Sequence, residues 1–261
     1  MERRRYALRL LYDGRAFRGF QRQPGLPTVQ AAVEDALRAM GVAAPLQVAA
    51  RTDAGVSALD QVVSFVARAD LDLAALRRGV NEAAPDGLVC LGAARVKLRF
   101  HARASALSRR YVYLVGSPAP EALAPWCWSL PDERAFPGLG AAPLDARAMQ
   151  EALSHAVGEH DFVGLARPGD QRITVRTVTR ADVLVADGLP LVAVVLEGRG
   201  FLRAMVRNLV GTAVAAGLGL APPTLLRDLL LSRDRYRGVR APGWGLTLAK
   251  VSYAPGTLTW T

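Results

Sequence analysis

The sequence predicts an α+β protein made of two similar halves whose sheets are largely antiparallel. Strand-like runs alternate with helical patterns along the whole chain, and a stretch rich in proline and glycine over residues 116–143 separates two comparable sets of elements. Such a mixture is typical of layered α+β domains. We therefore expect an N-terminal half over residues 1–105 and a C-terminal half over residues 106–261.

The predicted strands are runs rich in β-branched and aromatic residues. They cover residues 6–12, 61–67, 89–96, 110–115, 172–185, 191–196 and 246–253. The runs at 172–185 and 191–196 flank Asp187-Gly188, a dipeptide that strongly favours a hairpin turn. We expect these two strands to pair as an antiparallel hairpin.

The predicted helices follow from apolar residues spaced three and four apart. The first covers residues 29–40, with Thr28 as its N-terminal cap and Gly41 as its end. The second covers residues 71–80, and the third covers 144–157, between a cap at Asp145 and a stop at Gly158.

A fourth helix is predicted over residues 201–216 and a shorter fifth helix over 223–231. Arg203 and Arg207 are four residues apart in the fourth helix. We expect them to share the face opposite its apolar stripe.

The charge of the chain points to a polyanionic partner. The 33 basic and 23 acidic residues leave a formal charge of +10, and all but Lys97 and Lys250 among the basic residues are arginines. Guanidinium groups grip phosphate bidentately and stack on bases, which suits a structured nucleic acid. Codon bias is an alternative cause of the ratio of arginine to lysine, but it does not explain the net positive charge.

The remaining composition excludes several classes of protein. The two cysteines, Cys90 and Cys127, have neither metal-site spacing nor the density of a disulfide framework. No apolar signal-peptide core follows the basic start, and residues 209–220 are too short to span a membrane. We expect a cytoplasmic protein without a membrane segment.

Motifs for common cofactors and metals are absent from the sequence. There is no phosphate-binding Walker loop, no dinucleotide-binding glycine motif and no paired cysteine or histidine motif. The three histidines, His101, His155 and His160, are too scattered to suggest a ligand set. We expect neither a metal nor a cofactor.

The candidate for chemistry is Asp53, in a loop between two β segments. It lies in Arg51-Thr52-Asp53-Ala54-Gly55-Val56. By spacing alone, Thr-Asp-Ala-Gly reads as an ordinary turn in which the aspartate caps its own backbone.

The segment around Asp53 resembles the signature of the tRNA pseudouridine synthase A family, and further segments resemble that family's landmarks in the same order. They are Tyr12-Asp13-Gly14, Gly19-Phe20-Gln21-Arg22-Gln23, Thr28-Val29-Gln30, Gln61-Val62-Val63, Phe100-His101-Ala102-Arg103, Arg109-Arg110-Tyr111, Met205-Val206-Arg207-Asn208 and Gly245-Leu246. The chain departs from the family's usual residues at Ala50, Ser57 and Thr247. The family usually has glycine, often histidine, and an aromatic residue at these three positions.

The resemblance implies an isomerase that converts uridine to pseudouridine without a cofactor. Asp53 would be the catalytic carboxylate, acting either as a nucleophile on the ribose or as a base at C2′, and the sequence leaves both routes open. The resemblance places Arg207 beside it as the cation that keeps it ionised. Tyr111 and Leu246 would lie on the two sides of the target uracil.

The same resemblance implies contacts with RNA. Because a uridine stacked in a stem cannot reach a buried carboxylate, the base must be flipped out, and Arg51 is expected to occupy the vacated space. The other predicted substrate-binding residues are Phe100, His101, Arg103, Arg109 and Arg110.

The family's substrate is the anticodon arm of tRNA at positions 38 to 40. Its architecture consists of two ferredoxin-like halves that form one sheet with a central active cleft, and its members are homodimers. By resemblance we expect tRNA and a second copy of this chain as partners, and no DNA.

The main alternative is a non-catalytic RNA-binding protein on the same scaffold. The charge and the fold are consistent with both hypotheses, and only the set of Asp53, Tyr111 and Arg207 favours the enzyme. A DNA-binding protein has little support because the sequence lacks a helix-turn-helix or zinc module.

Overall fold

The computed structural model describes residues 2–140, 142–166, 173–232, 234–236 and 238–261. The chain forms two compact units: unit 1 is Met1–Arg109 with Leu248–Thr261, and unit 2 is Arg110–Thr247. The predicted boundary between residues 105 and 106 stays a prediction.

Ten strands and five α-helices are found in the described part of the chain, and every strand and helix predicted from the sequence corresponds to one of them. The strands are β1 Arg4–Tyr12, β2 Gln47–Val48, β3 Ser57–Ala67, β4 Leu88–Val96, β5 Ser108–Gly116, β6 Trp128–Ser129, β7 Gly158–Asp161, β8 Val175–Val185, β9 Leu191–Gly198 and β10 Leu246–Ser252. The helices are α1 Val29–Ala39, α2 Leu73–Ala83, α3 Ala146–Ser154, α4 Met205–Gly217 and α5 Leu225–Ser232. Residue 172, the predicted start of one strand, lies outside the described residues.

Unit 1 is a sheet with two helices packed beside it. Its strand order is β4-β1-β3-β10, where β10 contributes residues 248–252, and β2 pairs with Val63 and Ser64 of β3. Strand β1 is antiparallel to both β3 and β4. Buried side chains of β1 and β3, among them Tyr6, Leu8 and Phe65, form the core under the helices.

Caps explain where the helices of unit 1 begin. The Thr28 side chain accepts from Ala31 N, and Gly41 follows α1 with a φ of +77°, so the predicted limits are confirmed. Asp72 caps α2 by accepting from Ala75 N, whereas Leu71 N donates to the Tyr6 hydroxyl. Helix α2 therefore begins two residues later than predicted.

Unit 2 is a second sheet with three helices. Its strand order is β5-β9-β8-β7, and β6 adds to β5 in parallel. Strands β8 and β9 are antiparallel and turn at Asp187-Gly188, where Gly188 has a φ of +71°. The predicted hairpin is confirmed, and the α+β class with mainly antiparallel strands is confirmed in both units.

Helix α4 begins four residues later than predicted, because Ala204 has a left-handed backbone with a φ of 58°. A residue in this conformation cannot lie inside a right-handed helix. The predicted pairing of Arg203 with Arg207 on one helical face is therefore wrong, since Arg203 precedes the helix.

The stretch over residues 116–143 is better packed than its composition suggests. It contains β6 and a short 3-10 segment, Glu121–Trp126. Trp128 is buried, stacked on Phe136 at 5.8 Å between ring centroids, and edge-on to Tyr113 at 6.3 Å. This irregular connector thus supplies part of the core of unit 2.

Among the described residues, no helix combines the length and the apolar character needed to cross a membrane.

Burial of the two free cysteines gives a prediction about stability. Cys90 and Cys127 are each about 1% exposed, and burial raises the pKa of both thiols to about 11 from 9.0. Because the unfolded thiols ionise first, stability present below pH 9 should be lost as the pH rises through 11, by about 1 kcal/mol for each thiol at pH 10. Urea unfolding at pH 8 and pH 10 measures the loss.

A double variant, Cys90→Ser with Cys127→Ser, is the control because it lacks the ionisable thiols. It should lose less stability between the two pH values than the native chain. An equal loss in both proteins would show that the thiols do not cause the change.

Candidate active site

The loop that carries Asp53 is a tight turn between β2 and β3. Val56 N donates to the Asp53 carbonyl over 3.2 Å, and Gly55 has a φ of +80°. Asp53 is partly exposed, Arg51 is exposed and Thr52 is buried. The turn expected from spacing is confirmed, the cap by the Asp53 side chain stays a prediction, and Arg51 faces solvent.

Two glycines of the segment after β1 let that segment pass close under the loop. A Cβ on Gly14 would overlap the Val56 carbonyl. A Cβ on Gly19 would lie 3.1 Å from the Thr52 carbonyl oxygen, and Gly19 has a φ of +95°. Phe20 N donates to the same Thr52 carbonyl over 3.0 Å. Glycine is needed at both positions for close backbone approach.

Ser57, where the family often has histidine, has a clear structural partner. It is buried at the start of β3, and its hydroxyl accepts from Gly14 N over 3.0 Å. Ser57 therefore also ties the loop to the segment after β1.

Below the loop, three buried polar side chains form one network. Gln61 donates from Nε2 to the Tyr12 hydroxyl (3.1 Å) and to the Ala50 carbonyl (2.7 Å). The Tyr12 hydroxyl lies 2.8 Å from Thr52 Oγ1. Sequence reasoning gave Tyr12 and Gln61 no role beyond their place in the landmarks. The available signal was a glutamine in the strand-like run 61–67, which is otherwise mostly apolar. An amide buried in such a strand needs hydrogen-bond partners.

The turn after β4 carries three of the predicted RNA-contacting residues. Phe100 is buried against Tyr253, with ring centroids 5.3 Å apart. The His101 Nδ1 atom accepts from Arg103 N over 3.1 Å and from Ala104 N over 3.4 Å. Arg103 is exposed. Phe100 thus anchors the turn, His101 caps it and Arg103 faces solvent.

Arg109 is buried and holds backbone together. Its guanidinium donates to the Ala49 carbonyl over 2.9 Å and to the Arg103 carbonyl over 2.6 Å. Only 6% of the residue is exposed. Arg109 therefore links the strand before the Asp53 loop to the turn that carries Arg103.

In unit 2, Arg110 and Tyr111 are consecutive residues of β5, so their side chains point to opposite faces of the sheet. Tyr111 is 8% exposed and meets Phe201 edge-on, with ring centroids 5.5 Å apart. Arg110 Nε donates to Glu197 Oε2 over 2.8 Å in a partly exposed ion pair. The tyrosine ring is fixed in orientation by packing.

Arg207, in the first turn of α4, is tied to the segment that precedes β10. Its Nε donates to the Ala241 carbonyl over 2.7 Å, and Ala241 N donates back to the Arg207 carbonyl over 3.2 Å. The Tyr113 hydroxyl donates to the Pro242 carbonyl over 2.9 Å. Burial raises the pKa of Tyr113, and the positive charge of Arg207 opposes that rise.

Leu246 begins β10 and is 5% exposed. Its backbone N donates to the Gly243 carbonyl over 3.0 Å, so it closes the same segment that Arg207 holds. A side chain on the neighbouring Gly245 would collide with the Tyr113 ring, because a Cβ there would lie 2.6 Å from Tyr113 Cζ. The landmarks at 205–208 and 245–246 therefore pack around the same segment before β10.

Comparison with known proteins identifies the family. A family model described as tRNA pseudouridine synthase matches residues 152–254. The tRNA pseudouridine synthase A of Frankia casuarinae is 42% identical over 96% of this chain and 90% of its own length. The chain belongs to the tRNA pseudouridine synthase A family.

Other members of the family match over the same extent. The enzyme of Streptococcus thermophilus is 35% identical over 95% of this chain and 99% of its own length. The enzyme of Thermus thermophilus is 37% identical over 96% and 97%. These matches extend far beyond the segment 152–254 and include the Asp53 loop of this synthase.

The predicted site residues of the synthase fall into two groups, one in each unit. Unit 1 holds Arg51, Asp53, Phe100, His101, Arg103 and Arg109, whereas unit 2 holds Arg110, Tyr111, Arg207 and Leu246. Their union in one site stays a prediction. Among the described residues, no cluster of three or more His, Cys, Asp or Glu is arranged to hold a metal ion.

Proposed function

We propose that this isomerase converts uridine to pseudouridine at positions 38 to 40 of the anticodon arm of tRNA. The observation that carries the proposal is the construction of the Asp53 loop. Gly14, Gly19 and Gln61, from three family landmarks, all make close contacts with residues 50–56. Landmarks that are distant in sequence thus share one structural task, which is to hold Asp53.

Asp53 is the catalytic carboxylate in this proposal. The N1 to C1′ bond of uridine breaks, the uracil turns, and a C5 to C1′ bond forms, so substrate and product have the same atoms. A carboxylate at the ribose serves either as a nucleophile at carbon or as a base at C2′. The partly exposed position of Asp53 in a rigid turn supports either role.

Arg207, Tyr111 and Leu246 complete the proposed site. Arg207 supplies the cation for the carboxylate, while Tyr111 and Leu246 hold the two faces of the uracil. The Arg207 bond to the Ala241 carbonyl supports this assignment, because it fixes the direction of the side chain. The edge contact of Tyr111 with Phe201 likewise fixes the tyrosine ring. Preorganised groups of this kind favour catalysis.

Binding of the flipped-out uridine is assigned to exposed residues of unit 1. Arg51 fills the gap left in the stem, and Arg103 contacts phosphate from the turn that His101 caps. Phe100 and Arg109 contribute through the backbone that they hold, and Arg110 on β5 would contact phosphate by exchanging its ion pair with Glu197. These roles fit the formal charge of +10.

The resemblance also supports three broader proposals. The two units correspond to ferredoxin-like halves that form one sheet around the active cleft, the chain acts as a homodimer, and it works in the cytoplasm. In unit 1, the chain order β1, α1, β2, β3, α2, β4, with β1 between β4 and β3 and β2 paired with β3, supports the ferredoxin-like assignment.

Release of tritium from tRNA labelled at C5 of uridine tests the proposed function. The purified chain should release tritium from a transcript with uridine at positions 38 to 40, and not from one with cytidine there. A chain that binds tRNA and releases no tritium would be the non-catalytic RNA-binding protein of the alternative hypothesis.

Replacing the exposed Arg103 with alanine should weaken tRNA binding by about threefold to tenfold at moderate salt, because one phosphate contact is lost. The slope of log Kd against log salt should fall by about 0.7 to 0.9. Binding titrations at several salt concentrations measure both quantities. Arg134→Ala, at another exposed arginine, is the control and should leave the slope unchanged. An unchanged slope for Arg103→Ala would remove Arg103 from the RNA contacts.

A further inference from the structure

The buried network below the Asp53 loop is unusual for its polarity. Gln61 is 0% exposed, Tyr12 is 2% exposed and Thr52 is 7% exposed. Buried polar groups cost free energy unless each of them has a partner. Here the partners lead from β3 through β1 to the residue directly before Asp53.

The orientation of the Gln61 amide in this network follows from the backbone of Ala50. Ala50 N is a donor and faces Gln61 Oε1 at 3.3 Å, while the Ala50 carbonyl is an acceptor and faces Gln61 Nε2 at 2.7 Å. This double contact fixes which end of the amide carries the nitrogen. The second N–H of Gln61 then donates to the Tyr12 hydroxyl.

The Tyr12 oxygen also lies 2.8 Å from Thr52 Oγ1, a hydrogen bond in which either hydroxyl can be the donor. Burial raises the pKa of Tyr12 to about 12, although both hydrogen bonds oppose the rise. Tyr12 therefore keeps its proton near neutral pH.

Thr52 is thus held at two points. Its side chain is hydrogen-bonded to the Tyr12 hydroxyl, and its carbonyl accepts from Phe20 N over 3.0 Å. Fixing both groups of Thr52 fixes the peptide that leads into Asp53. A displacement of about 1 Å of a catalytic group is enough to lower turnover strongly.

We propose that Tyr12 and Gln61 are positioning residues, which act through Thr52 to hold the Asp53 carboxylate in its reactive place. The proposal rests on the proposed function of Asp53. It assigns to the landmarks at 12–14 and 61–63 a specific task beyond packing, which is to fix the orientation of the loop that carries Asp53.

Tyr12→Phe tests the proposal because it removes one oxygen and keeps the ring. We expect kcat to fall about tenfold with KM for tRNA unchanged, since the RNA-contacting residues are not altered. Tyr6→Phe is the matched control. Tyr6 is a fully buried tyrosine of the same strand, and its hydroxyl also makes two hydrogen bonds, donating to the Ala69 carbonyl and accepting from Leu71 N.

Both variants should lower the melting temperature by similar amounts, whereas only Tyr12→Phe should lower kcat. Equal kcat values in the two variants would overturn the proposal. A rise in KM with an unchanged kcat in Tyr12→Phe would overturn it as well.

Variants of Thr52 test the same hydrogen-bond network at the residue next to Asp53. Thr52→Val removes the hydroxyl that bonds to Tyr12, and Thr52→Ser retains it, so only the valine variant should reproduce the loss in kcat. The double variant Tyr12→Phe with Thr52→Val should be no slower than Thr52→Val alone. Both substitutions break the same hydrogen bond, the one between Tyr12 and Thr52. Additive losses would overturn the proposal.

Asp53→Asn, assayed in parallel, separates this proposal from the function on which it rests. An active Asp53→Asn enzyme would refute the assignment of Asp53 itself. An inactive Asp53→Asn enzyme together with a fully active Tyr12→Phe enzyme would refute only the positioning role.

Discussion

Replacing Asp53 with asparagine should abolish pseudouridine formation, with a loss of at least about 10⁴-fold in kcat. The amide preserves the shape of the side chain and leaves the backbone bond from Val56 N to the Asp53 carbonyl in place. It removes the charge that both chemical routes require. Tritium release from tRNA labelled at C5 of uridine measures the loss.

Binding of tRNA by Asp53→Asn should stay within about threefold of the native value, because phosphate contacts supply most of the affinity. Asp187→Asn, at the exposed hairpin tip of unit 2, is the control and should keep full activity. Native-like tritium release by Asp53→Asn would refute the assignment.

Replacing Arg207 with alanine should lower kcat by about 100-fold or more. The substitution removes the proposed cation beside the carboxylate, and loss of one partner of a charge pair leaves the other without compensation. It also removes the donor to the Ala241 carbonyl, which helps to hold the segment leading to Leu246. Single-turnover tritium release measures the effect on chemistry.

Arg207→Lys separates these two contributions. Lysine keeps the positive charge, but its single ammonium group cannot both donate to the Ala241 carbonyl and stand beside the carboxylate. Activity should therefore be intermediate. Arg227→Ala, at an exposed arginine of α5, is the control and should be fully active. A normal rate for Arg207→Ala would remove Arg207 from the site.

Local signals were sufficient to predict most elements of the fold. Thr28 and Asp145 were predicted as helix caps, and both cap in the structure. The Asp187-Gly188 turn was predicted from its dipeptide alone and joins β8 to β9 as expected. These features depend on side chain to backbone bonds within a few residues, so the sequence contains all the information that they need.

Features that depend on distant residues were not predicted. The start of α4 is set by a left-handed alanine, Ala204, and alanine carries no local signal for that conformation. Strands β2 and β6 are two residues long and exist because they pair with β3 and β5. The burial of Trp128 depends on Phe136 and Tyr113, which no periodicity could have indicated.

The candidate site shows the same division. The turn at Asp53 followed from its spacing, and its candidate role came from the family resemblance. The bonds that join Gln61 to Tyr12 and Tyr12 to Thr52 connect residues 49 and 40 positions apart. Only the fold brings such residues together, so the network could not be predicted from spacing.

Arg109 illustrates how a correct landmark can have an unexpected task. The resemblance suggested that it adds to a positive surface for RNA. In the structure its guanidinium is buried and donates to the carbonyls of Ala49 and Arg103. Its contribution to RNA binding is therefore expected to act through the turn that presents Arg103.

The most direct test of the central claim is to map pseudouridine at single-nucleotide resolution in tRNA from cells that lack this chain and are supplied with either the native protein or Asp53→Asn. The account predicts that uridines at positions 38 to 40 remain unmodified without the chain, are converted when the native protein is present, and stay unmodified with Asp53→Asn. Conversion at these positions in cells that have only Asp53→Asn, or in cells without the chain, would contradict it.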